Sequence, residues 1–288
     1  MGVKIQTIKD IRFFLADELS EIYNEPELTA LANIIIKTLT GVTKLHQIYL
    51  NDQRINKEQA ELCTAICREL KSGKPIQYIL GETIFYDYTI KLTPATLIPR
   101  QETEELVHLV IRENKGFKRS ILDFGTGSGC IAIALAGNLP GSDVTGFDIS
   151  DEALIVAREN AKLNNVDVSF LRADILNFDF SLVTGADIIV SNPPYVRNSE
   201  KILMSRNVLD FEPHQALFVS DSDPLVFYRE ILNIAEKILK VKGKIYFEIN
   251  EALGPSLINL LEIFRYSGIL VIKDLSGKDR IIKGIKNV

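Results

Sequence analysis

The stretch Asn192-Pro193-Pro194-Tyr195 combines residue types suited to holding a planar nitrogen. A nitrogen in an amide or a nucleobase is a poor nucleophile because its lone pair is delocalised, so a catalyst has to orient it and favour the charge that develops on it. The side-chain oxygen of Asn192 and the backbone carbonyl of Pro193 can each accept one hydrogen of such an amino group. That fixes both N–H bonds and leaves the lone-pair face open to an electrophile. Pro193 and Pro194 remove two backbone donors and stiffen the loop, and Tyr195 offers a flat face to the planar group. Attack by a neutral nitrogen needs no general base, since the charged product loses its proton readily, so no catalytic His or Lys is expected. Asn192, Pro193 and Tyr195 are the candidate catalytic residues, with Pro194 completing the substrate contacts. Met alone, the same tetrapeptide also reads as a rigid proline turn at the end of a strand.

A second stretch, Leu122-Asp123-Phe124-Gly125-Thr126-Gly127-Ser128-Gly129, follows an apolar run and opens a helical one, so glycine backbone can approach a ligand without side-chain obstruction. A dinucleotide fingerprint would place its third glycine where Cys130 stands, and this spacing argues against NAD. The run resembles the D-x-G-x-G-x-G loop of class I methyltransferases. That resemblance implies S-adenosyl-L-methionine as cofactor and S-adenosyl-L-homocysteine as product. Asp123 would position the charged amino-acid portion, Gly125, Thr126, Gly127, Ser128 and Gly129 would admit it, and Asn192 would border the same site. The sulfonium methyl is then the electrophile that the oriented nitrogen attacks in line. Asp148, at the end of the next apolar run, is spaced to take ribose hydroxyls by two charge-assisted hydrogen bonds. Asp174 and Ile175 hold the family-like position near the adenine, although an Asp at a strand exit also serves as a helix cap.

These residues need a scaffold that brings strand ends together. From Glu102 onward short apolar runs at Ser120–Phe124, Asp143–Asp148, Val168–Arg172, Asp187–Ser191 and Lys244–Ile249 alternate with helical stretches, the pattern of a parallel, doubly wound α/β sheet. Ligands of such sheets sit beyond the carboxyl ends of the strands, where every motif above falls. Before it, Ile8, Ile11, Leu15 and Leu19 form one helical stripe, and Leu28, Leu31, Ile35 and Leu39 form a second after Pro26. A third runs from Asn56 through Leu62, Ile66 and Leu70 to a stop at Gly73. Gln77–Leu92 alternates aromatic and β-branched residues like a hairpin. The expected organisation is therefore a helical bundle over 1–74, a hairpin linker over 75–98 and a Rossmann-like domain over 99–288.

Bulk properties narrow the classes. The chain has 288 residues, 46% hydrophobic and 25% charged, as in an ordinary globular protein. The net charge of −5 supplies no global cationic field for phosphates. Direct nucleic-acid binding is not expected, and Lys240, Lys242 and Lys244 read as a solvated helix end and turn. Cys63, Cys67 and Cys130 read as free thiols in a reducing cytoplasm, with Cys63 and Cys67 in core packing rather than on a metal. His46, His108 and His214 are scattered, so no metal is expected. Charged residues such as Lys4, Lys9, Asp10 and Arg12 interrupt the first apolar residues, and Gly2 lacks the Ser or Thr that a myristoylation signal needs at Gln6. A cytoplasmic monomer without membrane attachment is the expectation.

Over nearly its whole length the sequence resembles the release-factor glutamine methyltransferase family, also called HemK or PrmC. The segments that carry the likeness are Pro75-Ile76-Gln77-Tyr78-Ile79, Leu97-Ile98-Pro99-Arg100-Gln101-Glu102-Thr103-Glu104, the Asp123 loop, and Ile189 to Tyr195. Further ones are Glu212-Pro213 with Ala216-Leu217, Glu248-Ile249, and Asp274 with Gly277 and Asp279-Arg280. The resemblance implies methyl transfer to the glutamine of the Gly-Gly-Gln motif in peptide chain release factors, with the helical domain docking the release factor. It also implies that the loops Ile98–Glu104 and Phe211–Leu217 frame the pocket, which makes Arg100, Glu104 and Glu212 candidate substrate contacts. A structural ion pair between Arg100 and Glu104, and a loop cap at Glu212-Pro213, are the alternatives. The sequence departs from the family pattern at Gln101 (usually proline), Asp87 (usually glycine) and Asn250 (usually glycine). An amino methyltransferase acting on adenine or guanine shares the tetrapeptide and is the competing enzyme reading; a binding protein that only retains the fold is the non-enzymatic one.

Overall fold

The computed structural model describes residues 5–43, 46 and 49–287; Gly2 and Lys4 lie outside them. The chain divides into two compact units, Met1–Leu80 and Gly81–Val288.

In the first unit the helices are α1 (Ile8–Leu19), α2 (Glu25–Thr40), α3 (Lys57–Lys71) and the short α4 (Ile76–Leu80). Each long helix starts at a reciprocal capping box, Thr7 with Asp10, Asn24 with Glu27 and Asn56 with Gln59, which satisfies backbone donors that the helix itself leaves free. The stripe Ile8, Ile11, Leu15 and Leu19 is buried as expected, as are Leu31, Ile35 and Leu39. On α3 the buried stripe is Cys63, Ile66, Cys67 and Leu70, while Leu62 is exposed. Positions i, i+3, i+4 and i+7 from Cys63 share one helical face, and Leu62 starts the wrong one. Both cysteines are therefore core residues, and burial pushes the Cys63 thiol up to about 12.

The hairpin opens the second unit and is shorter than Gln77–Leu92, because Ile76–Leu80 is helical: β1 is Glu82–Phe85 and β2 is Tyr88–Lys91. Its two turn residues, Tyr86 and Asp87, have φ of 47° and 69°, the geometry of a type I′ turn that glycine satisfies without steric cost. Helix α5 (Gln101–Asn114) follows. The sheet is then built by β3 (Ser120–Phe124), β4 (Asp143–Asp148), β5 (Ser169–Arg172), β6 (Ala186–Ser191) and β9 (Leu239–Glu248), with β10 (Tyr266–Lys273) and β11 (Asp279–Lys286) at one edge. Between β6 and β9 a two-residue pair forms separately, β7 (Val196–Arg197) with β8 (Phe218–Val219). The seven-stranded order is β10-β11-β9-β6-β3-β4-β5, parallel from β9 to β5 and antiparallel at β11 and β10.

The parallel, doubly wound core is as read from the sequence; the antiparallel edge is an addition to it. Lys240, Lys242 and Lys244 fall within β9 rather than at a helix end. The strand starts at Leu239 and bulges around Lys242, whose φ is 62°, so its first half lacks a clean apolar period. Lys240 pairs with Asp187 at 2.9 Å and Lys244 donates to Asn114 at 3.1 Å. Among the described residues no helix is long and apolar enough to cross a membrane, and no cluster of potential metal ligands occurs.

Asp87 holds a left-handed conformation that costs an L-residue about 1–2 kcal/mol, reduced for Asp and partly offset by the extra chain entropy of glycine. Asp87→Gly is expected to raise the thermal midpoint of unfolding by about 1–2 °C; calorimetry showing a lower midpoint would contradict this account of the turn.

Candidate functional site

The site begins with a register. Strands β3 and β6 are parallel neighbours with Phe124 opposite Ser191, and the Ser191 hydroxyl donates to the Phe124 carbonyl at 2.5 Å. The glycine loop and the Asn192 tetrapeptide therefore leave the sheet side by side. A Cβ added at Gly125 would lie 4.0 Å from the Asn192 carbonyl oxygen. Of the loop glycines, Gly125, Gly127 and Gly129 have φ of 74°, 55° and 81°, values that explain the repeat without reference to any ligand.

The loop folds around two carboxylates. Asp123 is fully buried and accepts the Thr126 hydroxyl through Oδ2 at 2.6 Å, while its Oδ1 has no hydrogen-bond partner among the described residues. Burial pushes its carboxyl up to about 7, with Asp148 adding to the rise and the Thr126 hydrogen bond opposing it. Asp148 accepts the Gly127 N–H at 2.8 Å and the Ser150 N–H at 3.0 Å, and burial also raises its pKa. Each carboxylate oxygen carries two lone pairs, so both Asp148 oxygens retain acceptor capacity. A buried acceptor without a donor is costly and rare. One such acceptor beside a glycine cradle, next to a carboxylate with spare lone pairs, suits a ligand that brings a cationic group and hydroxyls. Thr126 and Ser128 are buried in the loop, and Asn160 from α6 (Asp151–Leu163) secures it by donating to the Ser128 carbonyl at 2.9 Å.

The remaining cofactor candidates are looser. Asp174 uses both oxygens locally, accepting from Leu176 N–H and the Asn177 side chain at 2.9 Å each, so it is the cap that its position also allowed. Ile175 packs against the main core beside Phe178.

At the tetrapeptide, the Asn192 Nδ2 donates to the Thr103 hydroxyl at 3.2 Å, and that hydroxyl donates to Glu248 Oε2 at 2.6 Å. The other Glu248 oxygen accepts the Tyr195 hydroxyl at 2.9 Å. Glu248 is fully buried, and burial raises its pKa against the pull of Thr103, Tyr195 and Arg280. Burial, with the neighbouring Glu248 charge, keeps Tyr195 a neutral phenol with a pKa well above the ordinary value. Arg280 is fixed by Asp274 at 3.2 Å. Pro193 is buried and Pro194 partly so.

The framing residues do not pair as the simplest structural alternative had it. Arg100 meets Glu212, not Glu104: Arg100 Nη2 lies 2.6 Å from Glu212 Oε1, and Glu212 Oε2 also takes the Ile98 N–H at 3.2 Å. Glu104 instead accepts the Tyr86 N–H at 2.8 Å, tying the hairpin turn to α5. Thr103 and Glu248 were not singled out as site residues from the sequence. Both stand in family-like segments, but only the fold carries Thr103, 89 residues upstream of Asn192, to the end of β6.

Residues 103–210 match the family model described as Methyltransferase small domain, and residues 13–81 match the PrmC N-terminal domain. A Flavobacterium psychrophilum protein named release factor glutamine methyltransferase is 44% identical, covering 96% of this chain and 98% of its own length. A Bacteroides thetaiotaomicron protein of the same name is 46% identical over 94% of this chain and 98% of its own. The chain belongs to the release factor glutamine methyltransferase family. Among solved structures, a Pyrococcus furiosus methyltransferase (TM-score 0.51, 20% identity, 69% of this chain and 89% of that one) shares the fold. So does a T. thermophilus 16S rRNA N2 methyltransferase, with TM-score 0.53 and 18% identity over 72% of this chain and 50% of that one.

Asp123 provides a prediction independent of activity. Its folded pKa of about 7 lies above the unfolded value of about 3.9, so the folded state binds the extra proton and loses stability as pH rises from about 4 to about 7. Asp123→Asn is expected to melt higher than the parent at pH 8, with the gain shrinking toward pH 5. An equal gain at both pH values in thermal melts would show that the carboxyl does not titrate in this way.

Proposed function

We propose that this protein transfers a methyl group from S-adenosyl-L-methionine to the side-chain amide nitrogen (N5) of the glutamine in the Gly-Gly-Gln motif of peptide chain release factors, releasing S-adenosyl-L-homocysteine. The observation that carries the reading is the Asn192 side-chain amide: its nitrogen is engaged by Thr103, which leaves Oδ1 as an acceptor, in a residue whose backbone carbonyl passes beside Gly125 of the glycine loop. The near full-length similarity to proteins named release factor glutamine methyltransferase supports the acceptor. A cytoplasmic location goes with that substrate.

When bound, the cofactor supplies an electrophilic methyl on a sulfonium. The chain's residues do the rest. Asp123, through its unpaired Oδ1, takes the cationic amino end, and Gly125, Thr126, Gly127, Ser128 and Gly129 admit the chain that bears it. Asp148 takes the ribose hydroxyls, and Asp174, Ile175 and Asn192 border the remainder. On the substrate side Asn192 Oδ1 and the Pro193 carbonyl each accept one N–H of the glutamine amide, turning its lone-pair face toward the methyl. The Pro193-Pro194 pair keeps that carbonyl from relaxing, and Tyr195 walls the amide plane. Arg100, Glu104 and Glu212 contribute by holding the pocket rim, since their polar atoms are engaged with one another or with the Ile98 and Tyr86 backbone. The helical unit is the docking element for the release factor.

Asn192→Ala is expected to cut turnover by about a hundredfold or more while leaving cofactor affinity nearly intact, because one of two orienting contacts goes; equal turnover would remove Asn192 from the chemistry. Asp148→Ala should weaken S-adenosyl-L-methionine binding by about 1–3 kcal/mol, read by calorimetric titration, and an unchanged dissociation constant would refute the ribose role. Mass spectrometry of a release factor incubated with enzyme and cofactor tests the substrate directly. A methyl on the glutamine after two glycines is expected; methylated adenine or guanine in supplied nucleic acid, with an unmodified release factor, would replace this reading with the nucleic-acid one.

A further inference from the structure

We propose that Thr103 and Glu248 are positioning residues for the transfer: their buried hydrogen bonds select the one orientation of the Asn192 amide that can hold the substrate nitrogen. The inference rests on the role given to Asn192 above.

The two ends of an asparagine side chain are almost identical in shape and opposite in hydrogen bonding, one an acceptor and the other a double donor. A substrate amide presents two N–H donors, so only the orientation with Oδ1 toward it is productive; the flipped side chain would set donor against donor. The choice is made behind Asn192, at Thr103. A threonine hydroxyl has one proton, and an ionised carboxylate only accepts. The Thr103 proton is spent on Glu248 Oε2 at 2.6 Å, which leaves the hydroxyl oxygen to face Asn192 as an acceptor. Only the nitrogen end of the amide fits there, and it does so at 3.2 Å.

The same carboxylate fixes a second site residue, because its other oxygen accepts the Tyr195 hydroxyl. The Glu248 backbone is held as well, its carbonyl accepting the Tyr228 hydroxyl at 2.9 Å. Thr103, Glu248 and Tyr228 are all buried, so water does not compete for these bonds. The chain of bonds from Oδ1 through the amide and the hydroxyl ends on an anion, and successive hydrogen bonds of this kind polarise one another. Glu248 therefore also makes Asn192 Oδ1 a stronger acceptor for a nitrogen on which positive charge develops.

The test compares Thr103→Val, which keeps the shape and removes the hydroxyl, with Thr103→Ser, which keeps the hydroxyl, using methylation of a release factor by the full chain. Thr103→Val should lower kcat by about tenfold or more, with KM for the release factor and the dissociation constant for S-adenosyl-L-methionine within about twofold, and Thr103→Ser should restore kcat to within about threefold. A Thr103→Val kcat within twofold of the parent, or a loss confined to KM, overturns the proposal. If Thr103→Val fails to bind cofactor, Glu248→Gln decides. It turns a double acceptor into a group that must donate toward Thr103 or Tyr195, and it should lose kcat with cofactor binding retained; full turnover overturns the proposal. Asn192→Ala, measured alongside, separates the two levels. Parent-like turnover there means that the site reading itself has failed, whereas an inactive Asn192→Ala beside a fully active Thr103→Val removes only the role of Thr103 and Glu248.

Discussion

The parallel pairing of β3 with β6, set so that Phe124 lies opposite Ser191, is the constraint on which the site depends. A parallel ladder brings the carboxyl ends of two strands to one level, although 67 residues separate these partners in sequence. One end then delivers a carboxylate and three left-handed glycines, and the other an amide and two prolines. The next ladder continues the alignment, because Ser191 is also opposite Phe247 in β9, which puts Glu248 at the level of Asn192. A slip of one residue in either ladder would turn alternate side chains to the opposite face and would separate Glu248 from Thr103 and Tyr195.

The site is costly to fold. Asp123 is buried with one oxygen unpaired and Asp148 nearby, and Glu248 is a buried carboxylate whose direct hydrogen-bond donors are neutral hydroxyls. Burial alone would drive protons onto all three. The surroundings offset this differently in each case. Asp148 has two backbone N–H donors, Glu248 has Thr103, Tyr195 and the charge of Arg280, and Asp123 has chiefly Thr126. The least compensated of the three is Asp123, the one we propose takes a cationic ligand group, and stability is commonly given up at binding sites in this way.

Much of this was legible in the sequence because the relevant signals are local. Glycine spacing after an apolar run marked the loop, apolar runs marked β3, β4 and β6 to within a residue, and Pro26 and the capping residue Asn56 marked helix starts. What escaped was non-local or masked. Thr103 and Glu248 have no local signature, since an isolated Thr in a helix's first turn and a Glu at a strand end look like surface residues. Their burial arises only when α5 packs against the end of β9. The first half of β9 was hidden by lysines at a bulge, and β10 carries so many exposed positions that its apolar alternation is weak. The alternative that paired Arg100 with Glu104 chose the acidic residue near in sequence, whereas Glu104 turns toward the hairpin and Glu212 arrives from more than a hundred residues away.

The three departures from the family pattern show how the fold absorbs them. Gln101 is the first residue of α5, where proline is favoured because its missing N–H would have no helical partner in any case; glutamine there gives up rigidity and no hydrogen bond. Asp87 keeps the turn that glycine would make more easily. Asn250 is the informative case. Its φ of −67° requires no glycine, so the family's usual residue at this point is not dictated by backbone strain in this chain. The asparagine side chain instead accepts the Ala252 N–H at 3.0 Å and donates to Glu200 at 3.1 Å, while Glu200 in turn accepts the Arg197 N–H at 2.8 Å. A side chain has thus replaced empty space with a clip between the end of β9 and the segment just after Tyr195. That clip ties down the chain just after the Asn192 tetrapeptide, so the departure adds a restraint on this loop rather than removing one.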